Sequence, residues 1–133
     1  MILFDTHAAL WLISDNRLLG KRTRRICEQA GGTGRLAISA VSFLEIALLI
    51  AKRRLRLPDT TREARQRILS EGVTELPLTG EIAILAGELD DLHGDPADRF
   101  IAATAIAHDA TLLTGDERLL QWRHSLRRRN AET

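Results

Sequence analysis

Four acidic side chains stand where a folding chain gains least from a charge. Asp5 follows directly on the apolar run Ile2-Leu3-Phe4. Glu45 is the only charged residue between Arg35 and Lys52, and its helical neighbours Val41, Leu44, Leu48 and Leu49 are apolar, so a helix there leaves it no clear solvent face. Asp98 heads the stripe Ile101, Ala102, Ala105, Ile106, which places it on the inward face of a helix. Asp116 lies just past the run Thr111-Leu112-Leu113-Thr114. Each position has an ordinary structural explanation. Asp5 and Asp116 could cap the helices that follow them. Ser42-x-x-Glu45 could be a capping box, with Ser39 as the competing cap. Asp98 could favour a helix dipole, and Asp95, just before Pro96, reads as a turn residue or cap. Taken jointly they say more. Carboxylates brought together raise one another's pKa, and a divalent cation relieves the repulsion. Oxygen donors of this kind select Mg²⁺ or Mn²⁺ over zinc. One or two such ions can bind phosphate oxygens, activate water for in-line attack on a phosphodiester and stabilise the leaving oxygen.

For the four acids to meet, the chain must bring the ends of distant elements to one place. Short apolar runs alternate with helical stretches. Strands are expected at Ile2 to Asp5, Leu36 to Ser39, Val73 to Leu78 and Thr111 to Thr114. Helices are expected at Ala8 to Ile13, Arg17 to Ala30, Ala40 through Ala51, Thr61 to Glu71, Thr79 to about Leu92 and Ala97 to His108. Gly31, Gly32 and Gly34 break the chain between the second helix and second strand. Alternation of this kind predicts an α/β fold, a doubly wound parallel sheet of four to five strands flanked by helices. Such sheets bind ligands beyond the carboxyl ends of their strands. Asp5, Glu45 and Asp116 all follow strands, so the topology can gather them on one edge.

Composition sets the frame. A chain of 133 residues is the size of one domain, spanning 1–133, and long enough to bury a core without staples. The single cysteine, Cys27, excludes an internal disulfide or a cysteine metal cluster and fits a reducing compartment. The start MILFDTH lacks the form of a secretory signal, and the apolar stretch Leu36 to Ala51 is too short for a membrane span and carries Glu45. A soluble, cytoplasmic protein with no membrane attachment is expected. Net charge is only +1, yet the charges segregate: cations crowd Arg17 to Arg25, Lys52 to Arg67 and Arg123 to Arg129, and acids crowd Glu81 to Asp98. All but two of the nineteen cations, Lys21 and Lys52, are arginine. Codon bias explains much of that, and the clustering adds modest weight to a phosphate-bearing partner. The four histidines show no zinc-type spacing. His93 sits in a turn near Asp95, at the edge of the expected site. Trp11 and Trp122 read as core or interface residues.

The segments LFDTHAALW, ISAVSFLEIALLIAKRRLRLP and HGDPADRFIAATAIAHDATLLTGDERL resemble the PIN-domain family, and more narrowly the VapC-type toxins of type II toxin–antitoxin systems. The resemblance covers nearly the whole chain. The family places acids after the first strand, in the helix after the second, at the head of the late alanine-rich helix, and after the following strand. Asp5, Glu45, Asp98 and Asp116 occupy those places in turn. The resemblance implies an endoribonuclease that needs Mg²⁺ or Mn²⁺, acts on an RNA substrate, forms a homodimer and is inhibited by a cognate VapB-like antitoxin. Thr6, Ser39, Ser42 and Thr114 flank the acids and are expected to orient them or bound water. Arg99 is expected to pair with a carboxylate or touch phosphate. The basic tail Arg123 to Arg129 lies outside the matching motifs.

Three rivals compete. A phosphoaspartyl enzyme or receiver would also place an aspartate after the first strand. Those families need a late lysine, and no lysine follows Lys52; the phosphatase type also wants an aspartate where His7 stands. A DNA 5′-nuclease shares the acidic architecture but carries arches or clamps that a chain this short lacks. A catalytically silent nucleic-acid- or partner-binding module of PIN type would keep the fold and lose metal-dependent cutting.

Overall fold

The computed structural model describes residues 1–133. In chain order the elements are β1 (Ile2–Phe4), α1 (Thr6–Ile13), α2 (Lys21–Ala30), β2 (Leu36–Ser39), α3 (Val41–Ala51), α4 (Thr61–Ser70), β3 (Val73–Leu76), α5 (Gly80–Glu88), α6 (Pro96–Ala107), β4 (Thr111–Thr114), α7 (Glu117–Leu120) and β5 (Arg128–Asn130). The strands form one five-stranded sheet in the order β3-β2-β1-β4-β5. Every pairing is parallel. The chain winds outward from β1 through β2 to β3, then crosses back to add β4 and β5 on the other side. The switch point therefore lies between β1 and β4, where an open parallel sheet leaves a crevice at its carboxyl edge.

The apolar runs behave as strands buried on both faces. Phe4, Ile38 and Leu113 point to one side, where they pack with Ile46 of α3 and Ala64 and Ile68 of α4. Leu3, Ala37 and Leu112 point to the other, against Ile101, Ala102 and Ala105 of α6 and the indole of Trp122. Period-two alternation along each strand thus feeds two helical layers. The stripe read from the sequence puts α6 flat on the sheet, with Ile101, Ala102 and Ala105 fully buried.

Several expectations need correction. The second helix starts at Lys21 rather than Arg17, because the Asn16 side chain accepts from the Leu18 N–H at 2.9 Å and holds residues 16–20 in turns. α5 stops at Glu88 rather than near Leu92. Its last carbonyls are taken instead by a side chain of α6 (below). The apolar neighbours of Glu45 do not surround it: Leu44 is 59% and Leu48 47% exposed, so α3 presents an open apolar row and Glu45 is half-buried beside it. The polar segment Arg128–Asn130, not read as a strand, adds β5 at the edge through parallel bonds to β4. No helix is long and apolar enough to cross a membrane.

Candidate active site

β1 ends one residue before Asp5, and the register that pairs Phe4 with Leu113 brings Asp5 beside Thr114 at the end of β4. Asp5 performs two tasks at once. Its Oδ1 accepts the Ala8 N–H at 2.8 Å, capping α1, and its Oδ2 accepts the Thr114 hydroxyl. The capping and site readings of this residue do not exclude each other, since each carboxylate oxygen keeps a further lone pair. Burial pushes the Asp5 carboxyl above its usual range against the pull of these donors.

The other acids arrive from their own elements. Glu45 projects from the second turn of α3. Neither proposed cap governs that helix by the expected box: the Ser39 hydroxyl accepts the Val41 N–H at 3.2 Å, and Ser42 instead receives the Thr6 hydroxyl at 3.0 Å. Thr6 and Ser42 thus tie α1 to α3. Asp95 caps α6, accepting the Asp98 N–H at 3.3 Å, with Pro96 in the first turn. Asp98 follows three residues later with only 13% of its side chain exposed. Asp116 caps α7. Its backbone N–H donates to the Thr114 hydroxyl oxygen at 3.0 Å. One threonine side chain therefore contacts Asp5 and Asp116 together.

Asp5, Thr6, Glu45, Asp95, Asp98 and Asp116 line a cleft of about 280 Å³ at the carboxyl edge, together with His7, Trp11 and Arg118. Donor atoms of Glu45, Asp95 and Asp98 lie within 4.8 Å of one another, and so do those of His93, Asp98 and Asp116. Asp98 belongs to both sets. Of the four acids expected at the site, all line the cleft. Asp5 stands at its floor and outside both close sets. Asp95 and His93 were not counted among the ligating groups. Their signal was the turn His93-Gly94-Asp95-Pro96, which reads as a helix start and gives no hint of direction. His93 Nε2 is buried and makes no hydrogen bond, although Asp98 Oδ2 is 3.3 Å away.

Crowding leaves its mark. Asp98 is pushed up to about 7, by burial first and then by Asp95, Asp116, Glu45 and Asp5. At Asp116 burial also pushes upward, but the hydrogen bonds and charge of Arg118 outweigh it and hold the group below its usual range. Oxygen donors gathered around one carboxylate that resists ionisation are a donor set that a hard divalent cation satisfies, and the carboxylates present fit such an ion.

Arg99 needs a correction. It was expected to pair with a carboxylate or phosphate, yet its guanidinium faces away from the cleft. It donates to the carbonyls of Ala86 at 2.9 Å, Leu89 at 2.8 Å and Leu92 at 2.9 Å, and at 3.3 Å to those of Gly87 and His93. The planar fork satisfies the carbonyls freed where α5 ends, which no carboxylate could do. Trp122 is a core residue whose indole N–H donates to the Asp90 carbonyl at 2.8 Å. A larger cavity of about 700 Å³ opens at the opposite edge, where Asp15 and Arg24 are paired at 2.9 Å and Glu28 and Glu71 also line the wall.

A parallel sheet of this order gathers its acids at the switch point, where open α/β sheets bind ligands. The chain belongs to the PIN-domain family, whose model matches residues 2–124. It is 36% identical over 124 residues to ribonuclease VapC22 of Mycobacterium tuberculosis, with 92% of each chain covered. Its fold is similar to that in the VapBC2 complex of Rickettsia felis bound to a promoter DNA fragment, with a TM-score of 0.70, 19% identity and 98% of both chains covered. It is also similar to that in FitAcB of Neisseria gonorrhoeae, with a TM-score of 0.68, 21% identity and 98% of both chains covered. At those identities the two structures speak to the fold alone.

Proposed function

We propose that this chain is a Mg²⁺- or Mn²⁺-dependent endoribonuclease that acts as the toxin of a VapC-type toxin–antitoxin pair, with Asp5, Glu45, Asp98 and Asp116 as its working acids. The observation that carries the reading is the convergence of those acids, with Asp95, on one cleft where Asp98 is driven up to about 7. The similarity to a VapC ribonuclease along most of the chain supports the substrate class.

In this reading a divalent cation, when bound, would supply charge to offset the acids, polarisation of the scissile phosphate and a more acidic water. The remaining roles belong to the chain. Glu45, Asp98 and Asp116 would hold the cation. Asp5, fixed by Thr114 and the Ala8 N–H, presents its free lone pairs to water from the cleft floor and can take up its proton. His93 Nε2 stands 3.3 Å from Asp98 Oδ2 at the α5–α6 turn.

The exposed row Leu44 and Leu48, with Phe100 and Pro96, borders a groove of about 360 Å³ that shares Glu45 and Asp95 with the cleft. We assign that groove to a VapB-like antitoxin, whose apolar side chains would cover the row while the adjoining segment blocks the acids. A homodimer and a cytoplasmic site of action complete the proposal.

The test is cleavage of single-stranded RNA with Mg²⁺ or Mn²⁺, with and without chelator, by the wild type and by Asp5→Asn and Asp98→Asn. Cutting is expected only with the cation and the intact acids. Cutting that persists in either variant would refute the assigned site. RNA binding without metal-dependent cutting would point to the silent module, and a preference for flap DNA over RNA to a 5′-nuclease.

A further inference from the structure

Only one arginine pairs with the acids of the cleft. Arg118, in the first turn of α7, sets Nη2 3.1 Å from Asp116 Oδ2 and 3.7 Å from Asp98 Oδ2. Its Nε lies 3.4 Å from Asp116 Oδ1. Asp98 and Asp116 are also the two carboxylates of a close ligand set. The guanidinium therefore stands where a divalent ion would make its contacts. Two cations a few ångströms apart in a partly desolvated cleft repel strongly, so both cannot hold the same oxygens. The side chain is 60% exposed and hangs on a flexible stem, so it can leave without disturbing the core. Its backbone N–H stays bonded to Asp116 Oδ1 at 2.8 Å, which keeps the base of the side chain at the cleft mouth.

We propose that Arg118 is a phosphate ligand held in reserve by the acids. It neutralises Asp98 and Asp116 until the divalent ion enters, then turns outward and clamps the RNA backbone next to the scissile phosphate. This rests on the reading of the cleft as a metal-dependent ribonuclease site. The planar fork suits two phosphate oxygens. Arg99 cannot serve in its place, because its donors are committed to five backbone carbonyls.

The proposal predicts effects of opposite sign from one substitution. Arg118→Ala keeps the backbone cap of α7 and removes both the competing cation and the phosphate clamp. In the full chain it should bind Mn²⁺ several-fold more tightly, read from the loss of the free-ion paramagnetic resonance signal. Its KM for a single-stranded RNA oligomer should rise about tenfold or more, the loss expected for a charge-assisted hydrogen bond, while kcat changes less. Arg118→Lys, with charge but no fork, should recover part of the KM. Arg123→Ala removes an exposed arginine outside the cleft and serves as the charge control, with both readings expected at wild-type values. Arg118→Ala with unchanged Mn²⁺ affinity or unchanged KM overturns the proposal, as does an equal response from Arg123→Ala. A wild type that binds Mn²⁺ and cuts RNA beside an indifferent Arg118→Ala leaves the site reading standing. A wild type that does neither removes both.

Discussion

The Thr114 hydroxyl joins two acids of the cleft: it donates to Asp5 Oδ2 and its oxygen accepts the Asp116 N–H at 3.0 Å. A single buried side chain at the end of β4 thereby sets the spacing between the floor and the mouth of the site. Thr114→Val keeps the shape and removes both bonds. Asp5 is then left with one donor in a buried position, its pKa rises further, and less of it is ionised to take a proton from water. Cleavage activity should fall about 10–100-fold, as when other ligand-supporting hydrogen bonds are removed. Thr114→Ser should retain most of it. Steady-state cleavage rates of the two variants check this.

Asp98 makes stability and function oppose each other. Its folded pKa of about 7 exceeds the unfolded value, near 4. The cation-free folded chain therefore holds this proton more tightly than the unfolded chain does. The stability this contributes is complete below about pH 4 and is lost as pH rises through 7. Asp98→Asn should stabilise the cation-free protein at pH 8 by about 1–2 kcal/mol, after allowance for solvent screening, and change it little at pH 4. Mn²⁺ should raise the melting temperature of the wild type more at pH 8 than at pH 5.5, and barely affect the variant. Thermal melts across that range decide it; a variant destabilised at pH 8 would contradict the assignment.

Gly115 is small for a steric reason. A Cβ there would lie 2.7 Å from the Cη2 of Trp11, whose ring forms the one apolar wall of the cleft. Gly115→Ala must push either the indole or the turn that carries Asp116. A loss of about 1–3 kcal/mol is expected, the usual cost of overpacking. A second change, Trp11→Leu, should restore most of it. Urea denaturation of the single and double variants measures the coupling.

Arg99 holds the α5–α6 turn, and with it His93 and Asp95, from behind. Arg99→Ala leaves several carbonyls without a donor and should destabilise the chain by about 2–4 kcal/mol. Arg99→Lys should recover little, since a point-like ammonium cannot reach five acceptors in one plane. If folded protein survives at low temperature, its Mn²⁺ affinity should drop as the turn loosens. Denaturation midpoints with a parallel Mn²⁺ titration test both parts.

Much of the fold follows from the order of residues alone. The three inner strands were legible because parallel strands buried on both faces read as apolar runs, and Leu36–Ser39 and Thr111–Thr114 are bounded as expected. The placement of Asp5, Asp98 and Asp116 at element ends was legible because acids stand out against such runs. β5 was not legible. Arg128–Asn130 has no apolar residue and is held by main-chain bonds, with the Arg128 guanidinium donating to the carbonyls of Leu119 at 3.0 Å and Trp122 at 2.6 Å.

Within the site, residue type and spacing determined which carboxylates were available. The tertiary structure alone decided which of them converge. It brought Asp95 and His93 close to Asp98, turned Arg99 away and swung Arg118 in. Side-chain direction at a helix end depends on the packing of neighbouring elements, and the carbonyls freed at the end of α5 exist as acceptors only once the helices have met.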